Sequence, residues 1–370
     1  MLTRRGPKVD EAVLWDAVGA VEDPEIHRSL GELGMLRSAT TGRGGKAQIE
    51  VALTTPACPL KDKLRTDLTA AASAVAGVSA VEVSFTALSE RERLALSQRL
   101  RGKTETGLSA DTRVYAVASG KGGVGKSTVA ANLAAALART GKRVGLLDAD
   151  VWGYSVPQLF GVRRSPVALK GLMLPVEAHD VRLMSVGFFV DDGEPVVWRG
   201  PMLHKALEQF LSDVHWGELD VLLLDLPPGT GDITLSLLEL VPQAALLAVT
   251  TPQAAAQTVA SRVGRMARDM RMPVAGVVEN MSTLACAGCG EHTALFGSGG
   301  GARLAGELSA PLLGQIPLDA ELRESGDAGE PVVLRSPAAP SAIALTEVAN
   351  GLPVVKRSLA GVALPLTVLR

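Results

Sequence analysis

The sequence is poor in the features that mark secreted, membrane-spanning or nucleic-acid-binding proteins. Aromatic residues are only 3% of the chain, so a core has to rest on Val, Leu, Ile and Ala. Cysteine occurs three times, at 58, 286 and 289, too few for the disulfide framework of a small secreted domain. No window reaches the roughly 18 consecutive apolar residues of a spanning helix. The opening Met1-Leu2-Thr3-Arg4-Arg5-Gly6 runs into charged sequence, not into the apolar core of a signal peptide. Neither sign of charge prevails: 37 Lys and Arg against 39 Asp and Glu leave a formal net charge of -2, with no reason to expect a polyanion as partner. The expectation is a cytoplasmic globular protein that engages no membrane and no nucleic acid, and whose 370 residues suffice for two domains.

What is present falls into two rhythms. Residues 8–88 read as a small α+β unit, with a helix over Asp10–Val21, strand-like runs at Ala47–Thr54 and Ala80–Phe85, and a helix over Lys61–Val75. Residues 89–112, rich in charge, Ser, Gly and Thr, read as a helix running into a linker. From 113 to 352 short apolar runs alternate with helical segments: Val114–Ala118, Arg143–Asp148, Val181–Val186, Asp220–Asp225, Ala244–Thr250, Val274–Glu279 and Leu312–Ile316. Continuous apolar strands interleaved with helices predict an α/β fold, a mainly parallel sheet covered on both faces, with ligands beyond the carboxyl ends of its strands. Residues 353–370 form a hydrophobic tail broken by Pro365, to which no function is assigned.

The first such strand end carries Ser119-Gly120-Lys121-Gly122-Gly123-Val124-Gly125-Lys126-Ser127-Thr128, followed by a segment of strong helix formers up to Gly141. This satisfies G-x-x-x-x-G-K-[ST] in its proper setting of strand, loop and helix. Glycines let the backbone wrap phosphate oxygens, and the loop N–H groups and helix N-terminus supply positive potential. Lys126 is expected to reach the β- and γ-phosphates and Ser127 to ligate Mg²⁺. Lys121 is more than phosphate cradling requires. K-G-G-x-G-K-S resembles the deviant Walker A loop, whose extra lysine reaches the nucleotide of a second subunit, which implies an ATP-sandwich homodimer.

Two more strand ends bear carboxylates. Asp225 follows four apolar residues, as a Walker B aspartate holding Mg²⁺ through water does, and the Pro227-Pro228-Gly229 behind it is placed to swing the Gly229 N–H onto a γ-phosphate. In Asp148-Ala149-Asp150, Asp150 is the candidate to orient the attacking water. Cys286-Ala287-Gly288-Cys289-Gly290 reads as a metal knuckle with half a tetrahedral ligand set, which a two-fold dimer would complete as a [4Fe-4S] cluster or a Cys₄ zinc; an unmetallated dithiol is the other reading. His292 is either a further ligand or a surface residue, and Cys58, in Thr55-Pro56-Ala57-Cys58-Pro59, either a small buried hydrophobe or a functional thiol.

Taken in order, these motifs resemble the Mrp (ApbC) family of iron–sulfur cluster carriers within the MinD/ParA-like P-loop ATPases. The resemblance spans about Asp10 to Val333 and includes Trp198-Arg199-Gly200-Pro201, Glu279-Asn280-Met281, Phe296-Gly297 and Gly314-Gln315-Ile316-Pro317-Leu318-Asp319. Asp23-Pro24-Glu25-Ile26 and Leu33-Gly34-Met35 resemble the iron–sulfur assembly module often fused ahead of that ATPase. The resemblance implies slow ATP hydrolysis, Asn280 against the adenine, and a [4Fe-4S] cluster bridged by Cys286 and Cys289 of two chains. It also implies cluster scaffold proteins and apo iron–sulfur proteins as partners, with hydrolysis governing cluster loading or release. Tyr154 stands where that family's pattern has proline, and His27 where the module often has one. A positioning ATPase would share the loop but lack the cysteine pair, and a nucleotide-dependent electron donor would space its cysteines far apart.

Overall fold

The computed structural model describes residues 9–55, 60–101, 108–109, 111–190, 200–229, 239–286 and 288–354. Cys58, Trp198-Arg199 and all but the first two residues of the 353–370 tail lie outside them. The chain divides into two compact units: the first takes residues up to Ala110 together with Arg164–Glu177 and Glu208–Glu218, the second the remainder.

In the first unit Leu36–Thr41 pairs antiparallel with Lys46–Leu53, which pairs parallel with Ala80–Ala87. Helices Glu11–Gly19 and Lys61–Ser73 bury Leu14 and Val18, and Leu64, Leu68 and Ala72, at the spacing of four that puts side chains on one face. These residues share a core cluster with Ile49, Val51 and Leu53 of the sheet. The Asp10 carboxylate caps the first helix by accepting the Ala12 N–H, and Ser89 and Glu92 form a capping box that starts the helix Glu90–Leu100. The expected 113–352 block therefore differs from the structure, which places two stretches of it in the first unit. For the first of these stretches the reason is burial: the hairpin of Val167–Leu169 with Leu172–Leu174 puts Leu169, Leu172 and Leu174 into the first unit's core.

A buried acidic turn stands out in this unit. The Asp23 Oδ1 accepts the N–H groups of Glu25 at 3.0 Å and Ile26 at 2.9 Å. Glu25 is 4% exposed; Arg164 approaches its Oε1 at 3.4 Å and its Oε2 has no partner among the described residues. Burial first, and the Asp23 charge second, push the Glu25 carboxyl from 4.5 up to about 7. The folded state thus binds more protons than the unfolded one between these values, so Glu25 makes stability fall as pH rises from about 4.5 to about 7. Glu25→Gln keeps the shape and removes the ionisation. It is expected to raise unfolding free energy by on the order of 1–3 kcal/mol at about pH 8 and to change little at about pH 4. Urea melts of both proteins at the two pH values check this, and parallel pH profiles would refute it.

Seven strands of the large sheet lie in the second unit, in the order Leu312–Gln315, Val274–Glu279, Ala245–Thr250, Arg113–Ser119, Val221–Asp225, Val144–Asp148, Val181–Ser185, each parallel to its neighbours. Every residue of Val144–Asp148, Val221–Asp225 and Ala245–Thr250 is buried, as a sheet covered on both faces requires. Helix Lys126–Arg139, rich in alanine, is almost wholly buried as it runs back from the central strand. Register gathers the acidic ends: Asp225 stands opposite Asp148 on one side and Val117 on the other. Among the described residues no helix is long and apolar enough to cross a membrane.

Candidate functional site

The loop after Arg113–Ser119 is held from inside. Ser119 Oγ donates to the Lys121 carbonyl at 3.0 Å, and Asn280 Nδ2 donates to the Val124 carbonyl at 2.9 Å. Gly125 has φ 80°, and a Cβ there would fall 2.2 Å from Asn280 Nδ2, so only glycine allows both the turn and the contact. A Cβ at Gly122 or Gly123 would meet nothing within 4 Å, so that stretch of the loop is open. The helix starts at Lys126 and leaves its first N–H groups without intrahelical acceptors. Gly120 to Thr128 therefore has the form of an anion cradle.

Lys126 is buried at the centre. Its Nζ donates to Asp225 Oδ1 at 2.6 Å and to Ser127 Oγ at 3.2 Å, and lies 3.8 Å from Asp150 Oδ2. Asp225 is fully buried, and its Oδ2 has no hydrogen-bond partner among the described residues. Burial raises the Asp225 carboxyl above its ordinary range, against the Lys126 charge that lowers it. Asp148 is used up: it accepts the N–H groups of Asp150, Ser155 and Val156 and the Ser185 hydroxyl, so it shapes the turn that carries Asp150. Burial, then the Asp225 charge, push Asp148 up to about 7. Asp150 takes the Gly153 N–H at 3.1 Å. Three carboxylates thus crowd one ammonium, and the orphaned Asp225 oxygen beside the Ser127 hydroxyl fits a hard divalent cation.

Two groups singled out in the sequence face inward here. Lys121 Nζ donates to Gln253 Oε1 at 3.1 Å, an oxygen that also accepts from Thr251 Oγ1 at 3.1 Å. The Gly229 N–H donates to the Ser119 carbonyl at 2.9 Å, and has to leave it before it can bind anything else. Tyr154, in place of proline, packs its ring on Gly187, where a Cβ would fall 2.4 Å from Cδ2. The departure from the family pattern is thus matched by a glycine elsewhere. Beside the loop lies a cavity of about 300 Å³ whose lining includes Thr128, Asn280, Met281, Pro317, Leu318 and Asp319. The Asn280 Oδ1 is buried without a partner among the described residues.

Sequence reasoning assigns no role to Gln253 or Glu279. Glu279, 1% exposed, accepts the Gly301 N–H and Gln315 Nε2, each at 2.5 Å, and so ties together both ends of the 280–301 excursion. Besides its place in Glu279-Asn280-Met281, its signal is a carboxylate closing an apolar strand, the same signal that marks Asp148 and Asp225. Gln253 follows a strand end in Thr250-Thr251-Pro252-Gln253 and has no signal of its own.

The cysteine pair sits on a hairpin. Leu284–Ala285 pairs antiparallel with His292–Thr293, the Cys286 N–H donates to the Glu291 carbonyl, and the Gly290 N–H returns to the Cys286 carbonyl. Both thiols are exposed and free. N–H donors from Cys289 and Gly288, and then the Cys289 thiol, hold the Cys286 thiol below its ordinary range, which favours the thiolate a metal takes. Below the hairpin, Ser282 N–H donates to the Ile316 carbonyl at 3.0 Å and Leu318 N–H to the Thr283 carbonyl at 2.8 Å. His292 Nδ1 lies 3.4 Å from Thr283 Oγ1. Among the described residues no third Cys, His, Asp or Glu joins the pair to make a metal site within one chain.

Known proteins resemble this chain along most of its length. The family described as NUBPL iron-transfer P-loop NTPase matches residues 111–353, and a family described as iron-sulfur cluster assembly protein matches residues 11–85. A Mycobacterium bovis protein named iron-sulfur cluster carrier protein is 48% identical over 367 residues, covering 96% of each chain. One of the same name from Deinococcus radiodurans is 47% identical over 338 residues, covering 91% of this chain and 93% of its own. A nucleotide-binding protein from Archaeoglobus fulgidus, solved with ADP, superposes with a TM-score of 0.52 at 37% identity, covering 65% of this chain and 90% of that one. The chain belongs to the NUBPL-type iron-transfer P-loop NTPases of the ParA class, the family of the iron–sulfur cluster carriers.

Proposed function

We propose that the protein binds and hydrolyses ATP as a homodimer and carries one [4Fe-4S] cluster, shared between the Cys286 and Cys289 pairs of two chains, to apo iron–sulfur proteins. The observation that carries this reading is the exposed pair of free thiols, with Cys286 held toward the thiolate, on a hairpin whose stem is hydrogen-bonded to Ile316 and Leu318, with Leu318 itself lining the cavity beside the phosphate loop. Two thiolates per chain supply half of a four-ligand set, so the cargo calls for a second chain.

The nucleotide chemistry follows from the groups already described. Lys126 exchanges Asp225 Oδ1 for β- and γ-phosphate oxygens, and the loop N–H groups from Gly120 to Thr128 surround the phosphates. Ser127 and Asp225 would hold Mg²⁺, whose charge offsets that of the phosphate oxygens. Asp150, with one oxygen taken by Gly153, uses the other to orient water. The Gly229 N–H turns from Ser119 to the γ-phosphate, Lys121 leaves Gln253 for the partner's nucleotide, and the bare Asn280 Oδ1 accepts the adenine amino group. Hydrolysis then changes the segment under the hairpin and, with it, the hold on the cluster.

Anaerobic reconstitution tests the reading. Iron and acid-labile sulfide are expected at about four each per dimer, with visible charge-transfer absorbance and a shift from monomer to dimer on gel filtration. Colourless protein that takes up only zinc would rule out the iron–sulfur cargo while leaving the ATPase intact.

A further inference from the structure

The first unit holds a buried arginine nitrogen with no acceptor among the described residues. Arg93 lies on the helix Glu90–Leu100, and its Nε is buried with no hydrogen-bond partner there. The carboxylates beside it in sequence are engaged elsewhere: Glu92 with Arg37, and Glu90 with Lys170. A buried guanidinium N–H without an acceptor costs desolvation that no described residue returns. Such an orphan in a native structure calls for a missing partner.

The surroundings say what kind. Arg93 lines a cavity of about 370 Å³ together with Thr54, Thr55, Arg164, Ser165 and Pro166. Thr54 and Thr55 directly follow the strand Lys46–Leu53, so the cavity opens at that strand's carboxyl end. Arg164 is fixed from behind: it donates to the Glu177 carbonyl at 3.0 Å and lies 3.4 Å from Glu25 Oε1. Among the described lining residues there is no carboxylate and no lysine, only two guanidinium groups, hydroxyls and small apolar side chains. Guanidinium groups present planar arrays of donors that suit carboxylate and phosphate oxygens.

We propose that this cavity in the iron–sulfur assembly unit is a binding site for a small oxyanion, a carboxylate or phosphate group, received by Arg93 and Arg164 at the end of the strand Lys46–Leu53. The site is separate from the phosphate loop in sequence and in chemistry, since it uses two arginine side chains where the loop uses backbone N–H groups and a lysine. It does not rest on the cluster-carrier reading.

The test uses the full-length protein with the phosphate loop filled by Mg²⁺ and a non-hydrolysable ATP analogue. Inorganic phosphate and, separately, succinate are titrated by calorimetry into the wild type, Arg93→Ala and Arg93→Lys. At least one anion is expected to bind the wild type, and Arg93→Ala to weaken it by at least about tenfold. Arg93→Lys should retain weaker binding, because it keeps the charge and loses the fork. Binding of phosphate alone marks a tetrahedral ligand and binding of succinate alone a carboxylate; either supports the site. The anion-free Arg93→Ala protein should melt no lower than wild type, since it loses a buried N–H that has no acceptor among the described residues. No heat from either anion at about 10 mM, equal affinity in Arg93→Ala, or an anion-free variant melting several degrees lower would each overturn the proposal.

Discussion

Lys126→Ala or Asp225→Ala is expected to lower ATP affinity by at least about a hundredfold and to abolish turnover, because each removes one half of a buried, hydrogen-bonded charge pair. The pair is tight at 2.6 Å and both members are buried, so the loss is not softened by water. Lys126→Ala leaves Asp148, Asp150 and Asp225 facing one another without their ammonium; Asp225→Ala leaves the ammonium without its carboxylate. Both apo proteins should therefore also melt lower, which makes Asp225→Asn the better probe of the cation site. It preserves an acceptor for Lys126 and removes the charge that a divalent ion needs. Lys121→Ala separates the two lysines. Its ammonium rests on Gln253 and touches none of the three carboxylates, so nucleotide binding should persist while turnover is lost. Fluorescent nucleotide titration and phosphate release, run on all four variants, decide the matter. Wild-type turnover in Lys126→Ala or Asp225→Ala would remove the phosphate-site assignment, and normal turnover in Lys121→Ala would remove the role of that lysine in the partner's site.

Much of the large sheet and its acidic ends is legible in the amino-acid sequence, for a physical reason. A strand buried on both faces must be apolar throughout, so Val221-Leu222-Leu223-Leu224 ending in Asp225 announces both the strand and its acidic end. All seven parallel strands expected from such runs are present. The strand Leu36–Thr41 escapes notice because Leu-Arg-Ser-Ala-Thr-Thr carries little apolar signal, and its pairing is interrupted between Leu36 and Ser38. The hairpin of 167–174 turns at Lys170 and Gly171, which both take positive φ, yet nothing local says which core receives its leucines. In the site, residues that act through a motif are readable and residues that act alone are not. Gln253, Glu279 and Arg93 each matter through partners, or the lack of one, that only folding reveals.

The second large effect concerns the hairpin. Cys286→Ser or Cys289→Ser alone is expected to abolish the reconstituted cluster, because in a symmetric dimer each substitution removes two of four ligands. Serine keeps the size and the hairpin, whose hydrogen bonds from Cys286 to Glu291 and from Gly290 to Cys286 run through the backbone. The loss is therefore one of ligation and not of folding, and melting temperatures should match the wild type. In Cys289→Ser the backbone N–H groups that hold the Cys286 thiol below its ordinary range stay in place. ATP binding should survive in both, and in the double variant, since phosphate ligation uses other strand ends. Cys58→Ser should leave the bridge intact, because that residue belongs to the assembly module. The deciding measurement is iron content together with visible absorbance for the three single variants and the double variant beside the wild type. A protein lacking both Cys286 and Cys289 that still holds a full cluster would sink the shared-cluster mechanism and move the ligand set to Cys58.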